Sequence, residues 1–338
     1  MSKPVALAVV LGLAAMAVPF FGTEYALSFT MQLLVFMILA YSWNLIGGYA
    51  GYTHFGQVCF FGLGGYVGAL LIHKGGMAWY FAVPVAALAG IALALPLGMA
   101  MLRLKGPYFA IGMFGLTRVL ESFVLGFDKI TQGGTGLYLV PLGNLRPVYF
   151  TLVVIALVMV LATWRLDNSR LGLKLLAIRE DEQAADALGV RTTRLKIGTF
   201  VVSAIAPAAV GALYAVYLGF IDPPTAFSPV MELTTIAIVL LGGMGTVLGP
   251  LVGAIVLSVV NELLWARFPE YYLAIVGMLI LLSVLYMPRG IVNLGMKKGW
   301  LPAGRGLFRQ LAREDAGKAR TPIGAAPHGH EEGKRVGA

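Results

Sequence analysis

The chain has 338 residues, 59% of them apolar and 12% charged, with a mean hydropathy of +0.83. Soluble domains carry about 45–50% apolar and about 25% charged residues, so this composition excludes a water-soluble globule and makes lipid the solvent for most of the chain. A net charge of +9 and a pI near 9.6 would suggest nucleic acid as a partner if the protein were soluble. Here the placement of the charge carries the information, and no nucleic-acid partner is expected.

Apolar runs between breakers predict an all-α, polytopic transmembrane bundle of about ten spans, near residues 5–22, 26–46, 54–72, 79–101, 107–125, 148–164, 198–219, 231–245, 248–264 and 270–287. A span needs about 20 mostly apolar residues, so ten of them absorb the apolar excess. The first run follows Lys3 and contains Ala15-Met16-Ala17, a pattern shared with cleaved signal peptides; it is read as a span. The chain holds 43 glycines. In a soluble helix each would cost about 0.8–1 kcal/mol relative to alanine, whereas in membranes small residues let helices approach and mark breaks in them. Two clusters read as such breaks. Gly47, Gly48 and Gly51, with Gly56 and Gly62 beyond, are echoed by Gly242, Gly243 and Gly245, with Gly249 and Gly253 beyond. A weak internal repeat is one reading of that echo, chance in a glycine-rich chain the other.

Placing the N-terminus in the cytoplasm puts Lys3, Arg103, Lys105, seven basic residues from Arg165 to Lys196 and ten from Arg289 onward on the inner side, twenty in all. The outer side receives Lys74, Lys129, Arg146 and Arg267, and Arg118 falls within a span. The positive-inside rule then predicts that both termini are cytoplasmic. Residues 1–298 form one permease-like domain with a polar inner loop at about 165–197. Residues 299–338 have no sustained apolar period and read as a disordered cytoplasmic tail, with a lipid-bound amphipathic helix at 305–314 as the competing reading.

Catalytic chemistry is not expected. No Gly-x4-Gly-Lys-Ser/Thr run occurs, so the chain has no phosphate loop of its own. Cys59 is the single cysteine, and His54, His73, His328 and His330 do not cluster with acids at metal-ligand spacing. Ionisable residues inside spans carry more weight, since a charge at mid-bilayer costs at least about 2.5–3.5 kcal/mol. Arg118 and Glu121 stand three apart on one helix and can neutralise each other. Glu232 and Glu262 fall near span ends and read as wetted at the interface. Asn44, Gln57 and Asn261 suit either interhelical bonds or contact with a polar solute. These last three, with Arg118 and Glu121, are the candidates for a translocation path.

The inner loop predicts two short helices, a basic one at 171–178 and an acidic, alanine-rich one at 180–189 that ends on Gly189 as a C-cap. Glu180, Asp181, Glu182 and Asp186 would be repelled by an anionic leaflet, which favours a protein partner over lipid for this loop. Three blocks carry a family resemblance. The first is Trp43-Asn44-Leu45-Ile46-Gly47-Gly48-Tyr49-Ala50-Gly51 running into Phe60-Phe61-Gly62-Leu63-Gly64-Gly65-Tyr66. The second is Gly106-Pro107-Tyr108-Phe109-Ala110 with Thr131-Gln132-Gly133-Gly134-Thr135-Gly136-Leu137. The third comprises Ser169-Arg170-Leu171-Gly172, Ala177-Ile178-Arg179-Glu180-Asp181-Glu182, Ala184-Ala185 and Gly189, completed by Gly242-Gly243-Met244-Gly245-Thr246, Gly249-Pro250 and Met287-Pro288-Arg289-Gly290.

Over residues 26–295 the sequence resembles LivM-type permease subunits of branched-chain amino-acid ABC importers. The resemblance implies a bacterial inner-membrane permease that pairs with a second related permease, two ATPase subunits that bind ATP and Mg, and a periplasmic solute-binding protein. Ala184-Ala185-x3-Gly189 is similar to the Glu-Ala-Ala-x3-Gly loop through which such permeases dock on the ATPase, which assigns Glu180, Glu182, Ala184, Ala185 and Gly189 to coupling. Gln183 stands where the family's glutamate usually is, beside Glu182. Tyr52-Thr53-His54-Phe55-Gly56-Gln57 departs from the family's Gln-x-Ser-x-Gly-His run, and Gly112-Met113-Phe114-Gly115 from its Thr-Leu-Gly. Import of another small solute (urea, an amide or an aromatic acid) by the same machinery, ion-coupled secondary transport and a membrane enzyme are the competing readings.

Overall fold

In the computed structural model, the described residues are 15–268 apart from 105, 141 and 142, together with residue 12 and isolated positions between 274 and 292. The chain divides after Gly304, and all described residues lie in the first unit. Most of the expected first span, the expected span at 270–287, the motif at 287–289 and the tail at 299–338 lie outside the described residues.

Helix α1 (Glu24–Trp43) starts where the Thr23 hydroxyl accepts the Ala26 N–H, with Glu24 complementing the helix dipole. It runs into a wider π-turn at Asn44–Tyr49 that holds the first glycine pair, and Gly51, with φ of 79°, ends the segment. α2 (Gln57–His73), α3 (Trp79–Met101) and α4 (Pro107–Gly126) follow, then α5 (Arg146–Asp167). Pro107 takes the first turn of α4, where a missing N–H is harmless, whereas Pro84 and Pro96 lie inside α3. The polar loop at 165–197 folds as α6 (Arg170–Glu180) and α7 (Glu182–Ala187). α8 (Thr192–Leu218), α9 (Pro229–Gly242) and α10 (Gly249–Arg267) complete the described bundle.

Among the described residues, six helical stretches are long and apolar enough to cross a membrane: Glu24–Tyr49, Trp79–Met101, Pro107–Gly126, Arg146–Asp167, Thr192–Leu218 and Pro223–Gly242. Gln57–His73 and Gly249–Leu264 are apolar but shorter. Each expected span between residues 26 and 264 thus meets a helix, though two of these fall short of a full crossing length. The all-helical expectation also missed a small feature, an antiparallel pairing of β1 (Leu137–Tyr138) with β2 (Phe220–Ile221), in the register Leu137 to Ile221 and Tyr138 to Phe220.

α8 is the centre of the bundle. At 27 residues and about 1.5 Å per residue it is long enough to cross the bilayer with a turn to spare, and it packs most extensively on α2 and α3. Lipid gives no hydrophobic reward for helix association, so close backbone approach must supply it. A side chain at Gly64 would overlap the Ala208 carbonyl, one at Gly211 the Phe61 carbonyl, and one at Gly90 would meet Ala208 Cβ at 2.7 Å. Glycine and alanine therefore form the α2–α3–α8 seam, while Phe61, Val210 and Leu213 fill the core beside it.

Glu232 corrects an expectation. It is not wetted at the interface but buried on α9, where one carboxylate oxygen accepts the Val58 N–H at 2.8 Å. The reason is the start of α2: Gly56 offers no side-chain cap, so the unpaired amides of the first turn draw an acceptor from a neighbouring helix.

The seam predicts a sharp contrast between glycines. Gly211→Val should lower the melting temperature of the detergent-purified protein substantially, because backbone atoms on α2 have nowhere to go. Gly115→Ala, which faces open space on α4, should leave it within the error of a nanoscale fluorimetry melt.

Candidate functional site: a glycine junction tied to the inner loop

The two glycine clusters that echo each other in sequence meet in space. Asn44, buried at the start of the π-turn, accepts the Gly245 N–H at 2.8 Å through its side-chain oxygen and donates from its amide nitrogen to the Thr246 carbonyl at 3.2 Å. A Cβ at Gly48 would lie 2.7 Å from Gly245 N, and one at Gly245 would lie 2.8 Å from the Gly48 carbonyl. Only residues without side chains fit between these two breaks. Gly242 and Gly249 close the second break on itself, since a Cβ on either would overlap a backbone carbonyl across it. Thr246 adds a local cap, accepting the Gly249 N–H at 3.0 Å at the start of α10.

The loop at 165–197 grips this junction. Ser169 caps α6 by accepting the Gly172 N–H at 3.1 Å, and Asp181 caps α7 by accepting the N–H groups of Gln183 and Ala184 at 2.8 and 3.0 Å. Gly189 lies beyond the end of α7 at φ of 81°, a conformation that favours glycine, and faces open space. From the end of α6, Arg179 donates to the Gly48 carbonyl at 2.7 Å, while its stem covers Gly51. Tyr49 reaches the Asp167 carboxylate at the end of α5 at 3.2 Å.

Just past the junction, Tyr52 donates to the Glu182 carboxylate on α7. Lys196, on α8 and only 4% exposed, lies 2.6 Å from Glu182 Oε1 and 2.9 Å from the Tyr52 hydroxyl, with its ammonium 4.8 Å from the Tyr52 ring centre. Burial and the adjoining carboxylate hold the Tyr52 hydroxyl above its ordinary pKa, so it stays a proton donor. The Tyr52 ring meets Phe109 of α4 edge-on at 5.5 Å. Gly51, Tyr52 and Thr53 on one side and Gly106, Pro107 and Ala110 on the other line a recess of about 330 Å³.

Of the residues assigned to coupling, Glu182 is engaged with Lys196 and Tyr52, Ala185 is buried against the α6 end of the core, and Glu180, Ala184 and Gly189 are on the loop's more open side. The path candidates separate. Asn44 is fully used in joining the two breaks. Gln57 donates to the Ser203 carbonyl at 3.4 Å, leaving its side-chain oxygen unpartnered, as is the side-chain oxygen of Asn261. Arg118 and Glu121 form an ion pair at 2.5 Å on α4, and Arg118 also donates to the Phe227 carbonyl. Sequence reasoning missed Tyr52, Arg179 and Lys196 as members of one site. Their partners lie 130, 131 and 14 positions away, so no local pattern reveals them. His54, just before α2, is buried among Trp43, Phe109 and Phe200.

A bundle of membrane-length helices with paired glycine breaks, gripped by a short ordered loop, is the architecture of a multi-pass membrane protein. The chain belongs to the family described as "Branched-chain amino acid transport system / permease component", which matches residues 25–284. It is 29% identical over 309 residues to the high-affinity branched-chain amino acid transport system permease protein LivM of Salmonella typhimurium, covering 82% of this chain and 72% of that one. It is 33% identical over 142 residues to LivH of Escherichia coli K12, covering 42% and 46%, and 33% identical over 149 residues to the autoinducer 2 import system permease protein LsrC of Photorhabdus luminescens, covering 42% and 44%. No solved structure matches the chain.

The junction predicts its own weak point. Asn44→Ala strands a buried N–H and a buried carbonyl in the second break, and should destabilise the protein by about 1–3 kcal/mol. Reversible unfolding in mixed micelles, monitored by tryptophan fluorescence, reads this directly.

Proposed function

We propose that this chain is a transmembrane permease subunit of an ATP-driven importer that carries leucine, isoleucine and valine across a bacterial inner membrane. The family match over residues 25–284 carries this reading. In it the chain is not itself an enzyme: two partner ATPases bind ATP and Mg, a second related permease completes the channel, and a periplasmic binding protein delivers solute. The loop at 165–197 faces the cytoplasm, as do both termini, in keeping with the excess of basic residues on that side. About ten spans cross or enter the bilayer, the two shorter helices among them.

The ATPase docks on α7. Its exposed acidic and small residues suit a protein surface, and Gly189 lets the chain turn sharply back into α8. The second permease covers α4. Only 17% of the apolar stretch of α4 is buried, and the Arg118–Glu121 pair on it is part-exposed, at 32% and 15%. An ion pair left against lipid is costly, so a protein or wet neighbour on that face is required. The path then runs beside α4, with Arg118 and Glu121 offering both signs of charge to a zwitterion; Gln57 on α2 and Asn261 on α10 are further candidates, each with an unpartnered side-chain oxygen. Import of a different small solute by the same machinery is the second reading, favoured by the likeness to an autoinducer 2 permease over part of the chain.

The test is uptake of labelled leucine into vesicles holding the chain with its co-expressed partners, ATP on the ATPase side and binding protein on the other. Leucine should accumulate only with ATP. Gly189→Trp, which forces a bulky residue into left-handed backbone at a cost of about 1–3 kcal/mol, should reduce uptake to background while the permease still inserts. ATP-driven uptake of another solute alone would move the second reading to first place, and uptake indifferent to ATP would overturn both.

A further inference from the structure

We propose that Tyr52 is a mechanical relay through which the coupling helix α7 moves the inner end of α4 and so opens or closes the recess beside it. The inference rests on the importer reading above. It adds a route and a residue, Tyr52, that neither the family nor the coupling loop assigns.

Three observations converge on this side chain. Its hydroxyl is held from two elements at once, by the Glu182 carboxylate of α7 and the Lys196 ammonium of α8. Its ring touches Phe109, two residues into α4. With Gly51 and Thr53 it lines the recess, opposite the first turn of α4. Tyr52 therefore bridges the helix that would meet the ATPase and the helix that is least held by the bundle.

The surroundings decide which parts can move. α8 is seated in the glycine seam and cannot shift without unpacking α2 and α3, so Lys196 is an anchored post. The Asn44–Tyr49 turn is pinned to the second break by Asn44, to α6 by Arg179 and to α5 by Tyr49. α4, by contrast, packs mainly on α2, α3, the turn at Pro223–Ala226 and, next to its own C-terminal end, the turns at Asp128–Thr131 and Gly133–Thr135, and most of its surface is open. A shift of α7 that carries Glu182 away from Lys196 leaves Tyr52 to follow one partner or the other. Either choice changes the ring's position against Phe109, and the inner end of α4 is the part free to respond. Arg179 keeps the other end of the segment still, so the displacement concentrates at residues 51–53, not along α1. Tyr52 is a positioning residue in this scheme and touches no solute.

The test needs a readout at the recess itself. Thr53→Cys on a Cys59→Ala background gives the chain one thiol, on the recess wall. In the importer purified with its partner subunits and placed in lipid vesicles, the rate of maleimide labelling is measured without nucleotide and with ATP plus vanadate. With the relay intact, the two rates should differ by about tenfold, the contrast expected of a two-state opening. Tyr52→Phe, which keeps the ring and removes only the hydroxyl, should reduce the contrast to below about twofold, while ATP hydrolysis and co-purification of the ATPases persist. Lys196→Met should do the same, and Lys196→Arg should restore most of it.

Full contrast in Tyr52→Phe overturns the relay, as does a chain with intact relay and bound, hydrolysing ATPases that shows no contrast. A purely structural role for Tyr52 would lower yield or co-purification and leave the contrast of the surviving complexes unchanged, which also overturns it. Failure of the ATPases to associate with the unmodified chain is a separate result: it removes the importer reading, and the relay with it.

Discussion

Inside a bilayer every backbone N–H and carbonyl must find its partner within the protein, and a helix break exposes several at once. The rest of this structure depends on how Asn44 meets that demand. One amide side chain supplies the acceptor for Gly245 and the donor for Thr246, so two interruptions satisfy each other where each alone would be untenable. The glycines follow from that contact. With Gly48 and Gly245 in backbone contact, no side chain has room, and the π-turn spreads α1 enough to bring its carbonyls within reach of Arg179. The 165–197 loop completes this junction, Arg179 donating to the Gly48 carbonyl of the first break.

Much of this was legible in the sequence, for physical reasons that are specific. Spans are set by the length and apolarity that lipid demands, so runs such as 79–101 and 107–125 coincide with α3 and α4 within a residue. The pairing of Arg118 with Glu121 follows from helix geometry at a spacing of three. The glycine echo marked both breaks. That they touch could not be read, because contact between residues 44 and 245 is set by the packing of α1 against α9 and α10 and leaves no periodic trace.

What stayed hidden is the polar chemistry that crosses between helices. Glu232 read as an interfacial carboxylate because its place along α9 is close to the end, but the helix turns it inward to the bare N-terminus of α2. Hydropathy measures how far a residue is from a helix end and says nothing about what its face meets. Lys196 is the same case reversed. Counted as one of seven inner basic residues, it belongs to the charge pattern by position, yet it is buried and paired. A count of basic residues by side cannot separate a topological charge from a structural one.

That distinction bears on how a loop can drive a bundle. A buried ammonium without its carboxylate costs several kcal/mol, more than an exposed pair could return. Lys196 thus makes the position of α7 an all-or-none matter: Glu182 is either on it, with Tyr52 drawn in beside them, or far enough away for water to replace it. An apolar contact at the same place would slide and transmit little. A triad built on one buried ammonium resists small displacements and yields to large ones, the property required of an element with two discrete arrangements. The open face of α4 supplies the complementary property, since a helix with few neighbours can tilt at one end without unpacking a core. Stiffness at Lys196 and freedom at α4, joined by the Tyr52 ring, divide the labour that a bundle of uniform packing could not.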